Sequence, residues 1–296
     1  MTSYRGRFAP SPTGRLHFGS LIAALGSWLY ARAADGAWIV RIEDLDPPRE
    51  VAGADADILT TLSAFGLESD EPPVYQSRRS AEYETAFSKL DAAGLVFPCW
   101  CSRTDLAPYR GIHPSRCIAA PETSRMPAWR LRVPAGAIAF DDAIQGTIRQ
   151  DIASEVGDFV VRRADGWYAY QLAVVVDDAL QGITDVVRGA DLIDSTPRQI
   201  LLQRFLDLPP VRYAHLPLAV DRDGHKLSKH ERSLPVDRDN PLPALCAALA
   251  FLGQRVPSEA SVAALLSAAV RAFDARSIPR RSSAPPSFAA MRQELS

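Results

Sequence analysis

Hydrophobic and polar positions near the start of the chain follow the spacings of a strand, a helix and a second strand. Residues 4–8 resemble a short strand, and after a loop rich in proline and glycine, apolar residues recur every three or four positions through residues 21–29. That spacing predicts a helix that begins near residues 17–20. Residues 37–42, AWIVRI, form an apolar run suited to a buried parallel strand. The pattern therefore predicts a strand–helix–strand unit with parallel strands.

The alternation of helices and strands continues along the chain, with a middle region of short strand-like runs. Helices are predicted at residues 54–65, 79–93 and 197–206, and strands at residues 74–76 and 185–187. The middle region has strand-like runs at residues 129–133, 138–140 and 159–163. Residues 241–273 are predicted as a small helical region, followed by a tail rich in proline, serine and arginine. We therefore expect an α/β fold with a parallel sheet.

Composition narrows the class of protein. The 296 residues are enough for one large domain with a small appendage. No apolar stretch reaches the length of a membrane span, and four cysteines without a secretory signal favour a reducing, cytoplasmic environment. The formal net charge of −2 does not indicate a nucleic-acid partner, so any such contact requires a local surface rich in arginine.

The turn between the first strand and the first helix is a candidate phosphate site. A strand-to-helix turn brings unpaired backbone N–H groups and the positive end of the helix dipole to one point. His17, Gly19 and Ser20 lie at this turn, and we expect His17 and Ser20 to donate hydrogen bonds to the α-phosphate of a nucleotide. The alternative is a proline-rich turn that binds no ligand.

Residues 226–230, KLSKH, are a second candidate phosphate site. Three lysines occur among the 33 lysine and arginine residues, and two of them, Lys226 and Lys229, fall in this segment. An ammonium group on a flexible stem is suited to a mobile contact with a polyphosphate. By itself the segment could be an ordinary charged loop, but together with the turn at residues 17–20 it predicts an ATP site.

Three motifs give the chain a resemblance to a known family. FAPSPTG followed by LHFG, then RIEDLD, and far downstream KLSKH resemble the signatures of class I aminoacyl-tRNA synthetases in their glutamyl and glutaminyl form. The resemblance continues through residues 174–199 and covers roughly residues 7–231. It implies a Rossmann-type parallel sheet in two halves, residues 1–95 and 166–240, around an inserted α+β subdomain. We place that subdomain at residues 96–165 and a short helical region with a loose tail at residues 241–296.

The resemblance also implies the chemistry. The α-carboxylate of glutamate would attack the α-phosphorus of ATP, accompanied by Mg²⁺, to give glutamyl-adenylate and pyrophosphate. The residues implied for ATP binding are His17, Gly19, Ser20 and Lys229. Catalysis would consist mainly of positioning and charge stabilisation, by His17, Ser20, Lys226 and Lys229.

The glutamate site implied by the resemblance has eight residues. They are Arg7, Phe8, Ala9, Pro10, Ser11, Glu43, Tyr170 and Arg188. We expect Glu43 to bind the ammonium group, and Arg7 and Tyr170 to bind the side-chain carboxylate. Arg188 would hold the α-carboxylate, because a guanidinium forms two parallel hydrogen bonds with a carboxylate. The two arginines could also exchange these roles.

Four further carboxylates receive no catalytic role. Asp44 and Asp46 follow the second strand, where open α/β sheets bind ligands. They could order their loop, face the acceptor ribose or form a solvated turn. Asp177 and Asp178 are interpreted as structural.

A segment with three cysteines is a candidate metal site. Cys99, Cys101, His113 and Cys117 supply three thiolates and one imidazole, a set suited to a closed, structural zinc site. The short paralogues of the glutamyl branch carry Cys-x-Cys and then Tyr-x₃-Cys at this place, and His113 stands where they have tyrosine. Ordinary cysteines without a metal are the alternative, and we expect Cys246 in the core.

The RNA acceptor is inferred from the resemblance alone. A standard glutamyl-tRNA synthetase continues into a large helical anticodon-binding region, whereas about 65 residues follow residue 231 here. The short paralogues attach glutamate to queuosine in the wobble position of tRNA(Asp). We therefore expect a monomeric enzyme that uses ATP, L-glutamate and tRNA(Asp) carrying queuosine, without a membrane partner. A compact synthetase that charges the tRNA 3′ end and a non-catalytic tRNA-binding paralogue are the alternatives.

Overall fold

The computed structural model describes residues 3–114, 116–122, 124–220 and 235–280. In this part of the chain the strands are β1 (Arg5–Phe8), β2 (Ala37–Ile42), β3 (Val74–Tyr75), β4 (Val96–Cys99), β5 (Ala128–Leu131), β6 (Ala137–Asp142), β7 (Gly146–Asp151), β8 (Phe159–Arg162), β9 (Asp185–Gly189) and β10 (Arg212–Leu216). The α-helices are α1 (Phe18–Ala33), α2 (Ala54–Ala64), α3 (Ser80–Ala92), α4 (Arg103–Leu106), α5 (Ile152–Glu155), α6 (Tyr170–Leu180), α7 (Thr196–Phe205), α8 (Pro241–Phe251) and α9 (Val262–Ala272).

Two groups of parallel strands meet side by side in the centre of the molecule. One has the order β1-β2-β3, and the other has the order β9-β10-β6 with β7 antiparallel at its edge. They adjoin at β1 and β9, where the N–H of Thr184 donates to the carbonyl of Arg5 over 2.9 Å. The parallel strands therefore run β3-β2-β1-β9-β10, which is the order of a Rossmann fold. The predicted α/β fold with a Rossmann-type parallel sheet is confirmed.

Helix α1 lies in the middle of the larger hydrophobic core. Leu21, Leu25 and Leu29 are fully buried, and the same core includes residues of β1, β2, α8 and α9. Because α1 is covered on several sides, its sequence is apolar nearly all round rather than along one stripe. Cys246 of α8 is buried in this core, as the sequence predicts.

A separate antiparallel sheet carries the cysteine-containing segment. Its order is β4-β5-β8, and it packs against α3 and α6 through a second hydrophobic core. The rings of Phe87, Trp129 and Tyr168 meet in this core, with Phe87 and Trp129 edge to face at 5.2 Å between centroids. The segment that follows β4 is therefore anchored to a well-packed sheet.

Most predicted elements are present with ends shifted by one or two residues, and β2 has the predicted bounds. The sequence analysis did not predict β7, whose residues GTIRQD lack a run of apolar side chains. This strand forms because it pairs along its length with β6, so tertiary pairing outweighs its weak intrinsic preference. Strand β6 in turn joins the parallel sheet beside β10. Among the described residues, no helix is long and apolar enough to cross a membrane.

Candidate active site

A cavity of about 710 Å³ opens beside the point where the strand order reverses between β1 and β9. Such switch points are where open α/β sheets bind their ligands. The structure brings eleven of the predicted site residues to its wall: Arg7, Phe8, Ala9, Pro10, Ser11, His17, Gly19, Ser20, Glu43, Tyr170 and Arg188. The predicted lysines, Lys226 and Lys229, lie outside the described residues. Ala219 and Pro235, on either side of residues 221–234, both line the cavity.

The N-terminus of α1 forms one end of the cavity. His17 is the residue before the helix, and its Nδ1 accepts a hydrogen bond from the N–H of Ser20 over 3.2 Å. The hydroxyl of Ser20 lies 3.1 Å from Nε2 of the same ring. The ring therefore lies over the first turn of a 16-residue helix, whose dipole favours an anion at this end.

Arg7 lines the cavity from β1 and is held by a carboxylate that lies 171 residues further along the chain. Its Nε donates to Oδ1 of Asp178 over 3.0 Å, and both side chains are almost completely buried. Arg41 of β2 pairs with the same carboxylate over 2.8 Å. Burial alone would raise the pKa of Asp178, but the two guanidinium groups lower it below its ordinary value. Asp178 is therefore ionised and neutralises part of the charge of both arginines.

Asp177 holds the neighbouring elements together. Its carboxylate accepts hydrogen bonds from Gln76, from Nε of Arg79 and from the hydroxyl of Tyr83, over 2.6–2.8 Å. These contacts join α6 to α3 and to the turn before it. Both aspartates thus have structural contacts, as their interpretation from sequence expects.

Glu43 follows β2 and contributes a buried carboxylate to the cavity wall. Its Oε1 accepts no hydrogen bond from the described residues, and the nearest cation, Nη2 of Arg41, lies 3.6 Å away. Burial raises the pKa of Glu43 to about 7, although Arg41 and Arg7 oppose this shift. Because buried polar atoms are normally hydrogen-bonded, this oxygen is suited to accept a hydrogen bond from a cationic ligand.

Arg188 lines the opposite wall from β9 and is held differently from Arg7. Its guanidinium donates to Nε2 of His215 over 3.1 Å, to the hydroxyl of Tyr170 over 3.1 Å and to the hydroxyl of Thr196 over 2.8 Å. A longer contact of 3.4 Å reaches the carbonyl of Leu192. Within the described parts of the chain, no carboxylate forms an ion pair with Arg188.

His215 rests on a second buried carboxylate. Its Nδ1 lies 2.6 Å from Oδ2 of Asp142, and Oδ1 of Asp142 accepts the backbone N–H groups of Ile144, Gln145 and His215. Burial lowers the pKa of His215 below its ordinary value. Burial would raise the pKa of Asp142, but the hydrogen bonds from His215 and Gln145 lower it. Both directions describe an ionised aspartate next to a neutral imidazole.

The loop carboxylates have local partners. Asp44 accepts hydrogen bonds from the N–H and the hydroxyl of Ser77, over 2.8 and 2.6 Å. Asp46 pairs with Arg49 and with Arg163. Asp44 therefore orders the loop after β2, which is one of the interpretations that the sequence left open.

The sequence analysis missed Arg41, Asp142 and His215 as parts of this site. A charged residue inside the apolar strand AWIVRI was a signal for Arg41, since a buried guanidinium requires anionic partners. No local signal points to Asp142 and His215. They are 73 residues apart, and they meet because β6 lies beside β10.

The four predicted metal ligands converge after β4. The Sγ atoms of Cys99, Cys101 and Cys117 and one ring nitrogen of His113 all lie within 4.8 Å of one another. The separations include 3.3 Å from Cys99 to His113 and from Cys101 to Cys117, and 3.7 Å from Cys117 to Cys99. In a tetrahedral zinc site, the metal–ligand bond lengths place neighbouring ligand atoms about 3.5–3.8 Å apart. The donor set and its spacing therefore fit a zinc ion.

The surroundings of the cluster support its ligand atoms. Cys99 Sγ receives the backbone N–H of Cys101 over 3.4 Å and Nε of Arg130 over 3.3 Å, contacts that suit a thiolate. Nδ1 of His113 lies 3.4 Å from a carboxylate oxygen of Asp158, an arrangement that orients a ligating imidazole. Gly157 has φ +70°, and an added Cβ there would lie 2.4 Å from the carbonyl of His113. A glycine is therefore needed for the close approach that places His113.

Comparison with known proteins assigns the class. Residues 3–128 and 119–262 match the family described as tRNA synthetases class I (E and Q), catalytic domain. Two solved structures share the fold. A glutamate tRNA ligase from Elizabethkingia meningosepticum, in complex with its amino acid, has a TM-score of 0.80 and 24% identity, over 96% of this chain and 68% of that one. The glutamate-tRNA synthetase of Elizabethkingia anophelis has a TM-score of 0.83 and 23% identity, over 100% of this chain and 71% of that one. Fold and site thus define a class I tRNA synthetase.

Curated relatives narrow the assignment. A protein of Xanthomonas campestris pv. campestris named Glutamyl-Q tRNA(Asp) synthetase is 60% identical over 281 residues, which is 94% of each chain. A Burkholderia mallei protein of the same name is 56% identical over 290 residues, covering 93% of this chain and 98% of that one. The chain belongs to the glutamyl-Q tRNA(Asp) synthetase family. The resemblance drawn from the sequence motifs is confirmed.

Proposed function

We propose that this protein activates L-glutamate with ATP and transfers it to queuosine in the anticodon wobble position of tRNA(Asp). The observation that carries the proposal is one cavity that joins a helix N-terminus, suited to phosphate, to two arginines and a glutamate whose Oε1 accepts no hydrogen bond from the described residues. The first feature suits ATP and the second suits an amino acid with two carboxylates. The acceptor, queuosine of tRNA(Asp), follows from the name that the relatives carry.

The ATP site lies at the start of α1. His17, Gly19 and Ser20 bind the phosphates, where the helix dipole and the hydrogen-bond donors of the turn stabilise negative charge. We also propose that Lys226 and Lys229, which lie outside the described residues, act in catalysis on the phosphates. Mg²⁺ bound with ATP would supply charge stabilisation for the phosphates.

The glutamate site lies between β1 and β9. Glu43 accepts a hydrogen bond from the ammonium group through Oε1, which has no hydrogen bond from the described residues. Arg188, which forms no ion pair with a described carboxylate, binds the α-carboxylate. Arg7 and Tyr170 bind the side-chain carboxylate. The loop residues Phe8, Ala9, Pro10 and Ser11 form the wall beside these groups.

The chemistry has two steps. An oxygen of the α-carboxylate of glutamate bonds to the α-phosphorus of ATP, and the bond from that phosphorus to the bridging oxygen breaks, so pyrophosphate leaves. A hydroxyl oxygen of queuosine then attacks the carbonyl carbon of the adenylate, an ester forms, AMP leaves and the hydroxyl proton passes to solvent. The protein supplies position and charge, because none of the proposed site groups acts as a nucleophile.

The cysteine cluster holds one structural zinc ion in this proposal. Cys99, Cys101, His113 and Cys117 would supply the four ligands of a closed zinc site and would leave no open position for a substrate. Its contribution is to fix the segment after β4 against the antiparallel sheet. In this proposal residues 96–165 are the insertion between catalytic halves at residues 1–95 and 166–240, and residues 241–296 follow as the helical region. Two strands of the insertion, β6 and β7, extend the parallel sheet beside β10. Three reduced thiols suit a cytoplasmic enzyme, and we propose that it acts as a monomer.

The experiment that tests the proposal is the transfer of labelled L-glutamate to two tRNA pools. One pool contains queuosine, and the other comes from cells that cannot make it. We expect label in the first pool only, and we expect that label to survive removal of the tRNA 3′ terminal adenosine. Equal labelling of both pools, lost with that adenosine, would replace the proposal with charging of the 3′ end. No glutamate-dependent exchange of pyrophosphate into ATP would exclude activation itself.

A further inference from the structure

Asp142 and His215 form a buried pair directly behind Arg188. Both side chains are fully buried, with Nδ1 of the imidazole 2.6 Å from the carboxylate. The other ring nitrogen, Nε2, lies 3.1 Å from Nε of Arg188. Neither residue of the pair lines the cavity, whereas Arg188 does. The pair therefore has no direct contact with a ligand in the cavity, and its hydrogen bond to Arg188 connects it to the cavity wall.

The position of one proton follows from these contacts. Arg188 has donors and no acceptor, so Nε2 of His215 must be the acceptor and carries no proton. The ring proton then lies on Nδ1, where Asp142 accepts it. The hydroxyl of Thr196 is 3.2 Å from Nε2 and accepts from Nη2 of Arg188, so it joins the same arrangement. Asp142 thereby selects the one tautomer of His215 that can bind Arg188.

The pair holds Arg188 without neutralising it. An aspartate in direct contact would form an ion pair with Arg188 and neutralise part of its charge, as Asp178 does for Arg7. A neutral imidazole fixes the plane of the guanidinium through Nε, and no described carboxylate lies in ion-pair contact with Arg188. The carboxylate of Asp142 lies one residue further back, where it orients the imidazole.

We propose that Asp142 and His215 are positioning residues that set Arg188 for a carboxylate of the substrate glutamate. The inference rests on the proposed function, in which Arg188 binds glutamate. It assigns a role in substrate binding to a strand, β6, that contributes no residue to the cavity wall. The placement of β6 beside β10 brings Asp142 to His215.

The substitution Asp142→Asn tests the proton argument with little change in shape. The amide oxygen of asparagine can keep the three backbone N–H contacts that Oδ1 accepts. Its NH₂ group would then face Nδ1 of His215, so the ring proton would move to Nε2 and point at Nε of Arg188. Two donors would face each other, and Arg188 would lose its fixed orientation.

We expect the Michaelis constant for glutamate in ATP–pyrophosphate exchange to rise about 10- to 100-fold in Asp142→Asn. The Michaelis constant for ATP should change less than twofold, because the proposed phosphate site lies at the N-terminus of α1 and does not include Arg188. Exchange is measured on the full chain with queuosine-containing tRNA(Asp) present. The matched control is Asp185→Asn, which changes a largely buried carboxylate on β9 that pairs with Arg212 and has no contact with Arg188. We expect the Michaelis constant of Asp185→Asn for glutamate to equal that of the unmodified protein.

A second pair of variants separates positioning from general damage to the core. In His215→Gln, the amide oxygen can still accept from Arg188, whereas in His215→Leu no acceptor remains. We expect the glutamate constant of His215→Gln to lie between those of the unmodified protein and of His215→Leu. Equal effects of the two variants, or parallel losses for glutamate and ATP, would overturn the positioning role. So would an unchanged glutamate constant in Asp142→Asn.

Different results would exclude the proposed activation of glutamate and the positioning role of Asp142 and His215. If the unmodified protein catalyses no exchange with glutamate, the proposed function fails. If it does catalyse that exchange and Asp142→Asn behaves like Asp185→Asn, the function stands and the positioning role is excluded.

Discussion

The two walls of the cavity hold an arginine in opposite ways. On the β1 side, Arg7 is bound to the ionised carboxylate of Asp178. On the β9 side, Arg188 is bound to an imidazole, two hydroxyls and a carbonyl, which are all neutral. A buried guanidinium paired with a carboxylate gives the site its shape and part of its stability. A buried guanidinium that is held by neutral acceptors can form its ion pair with a ligand instead.

The difference predicts that the two walls respond to different measurements. Loss of the carboxylate at Arg7 leaves buried charge unpaired in the protein itself, so the free energy of unfolding should respond first. Loss of Arg188 removes a guanidinium that forms no ion pair with a described carboxylate, so glutamate binding should respond first. A ligand that binds the folded state also stabilises it, so glutamate should raise the melting temperature through Arg188.

The largest expected effect on stability is that of Asp178→Asn. Arg7 and Arg41 would lose the carboxylate that they share, and breaking a buried ion pair in this way costs about 3–5 kcal/mol. Urea unfolding measures the change. The control is Glu71→Gln, which breaks the exposed pair with Arg5 and should cost at most about 1 kcal/mol. Equal costs for the two variants would show that Asp178 is not a buried anchor.

Acid unfolding sharpens the same comparison. The pKa of Asp178 is lower in the folded protein than its ordinary value, so the unfolded chain binds its proton more tightly. Its contribution to stability is therefore present above the ordinary pKa and is lost as the pH falls through the folded value. Below about pH 4, the unmodified protein should lose stability more steeply than Asp178→Asn.

Substitution of Arg188 should have the largest effect on substrate use. In Arg188→Ala we expect kcat/KM for glutamate to fall about 100- to 1000-fold, or about 3–4 kcal/mol, because a buried charge–carboxylate contact is lost. Pyrophosphate exchange at varied glutamate measures it. Arg212→Ala, on an exposed arginine of the neighbouring strand, is the control. We also expect that glutamate no longer raises the melting temperature of Arg188→Ala, which would agree with the fall in kcat/KM. A normal kcat/KM would show that Arg188 does not bind glutamate.

A smaller effect, a dependence of glutamate binding on pH, is expected from Glu43 and from neither arginine. Burial raises its pKa to about 7, and an ionised carboxylate is needed to bind the ammonium group. Glutamate binding should therefore strengthen about tenfold between pH 6 and pH 8, as Glu43 loses its proton. Calorimetric titration with L-glutamate measures this profile. In Glu43→Gln the pH dependence should disappear, and an unchanged profile would mean that another group titrates.

The smallest effect on glutamate use is expected at the cysteine cluster, which belongs to neither wall. Cys101→Ser should lose bound zinc and lower the melting temperature, while the glutamate constant changes less than about twofold, because a closed structural site has no contact with substrate. Metal analysis of the purified protein measures the loss. Cys246→Ser changes a buried cysteine of α8 and should keep its zinc. The absence of zinc from the unmodified protein would contradict the metal assignment.

Sequence patterns predicted the elements whose features are local. The strand–turn–helix at His17 and the apolar strand β2 each depend on neighbours within one turn or one strand, so their residue order is sufficient. The polar strand β7 was missed because its pairing with β6, rather than its composition, makes it a strand. The metal ligands were predicted from donor type, whereas the approach of His113 depends on Gly157, 44 residues later.

By itself, the sequence determined the class of fold, the family motifs and most of the residues that line the cavity. Only the tertiary structure decided which of the charged residues are paired with an opposite charge inside the protein. Arg7 meets Asp178 across 171 residues, and Asp142 meets His215 across 73. These contacts follow from the order of strands in the sheet, which no local pattern encodes. Two arginines of equal intrinsic chemistry therefore differ because the fold gives one an anionic partner and the other neutral ones.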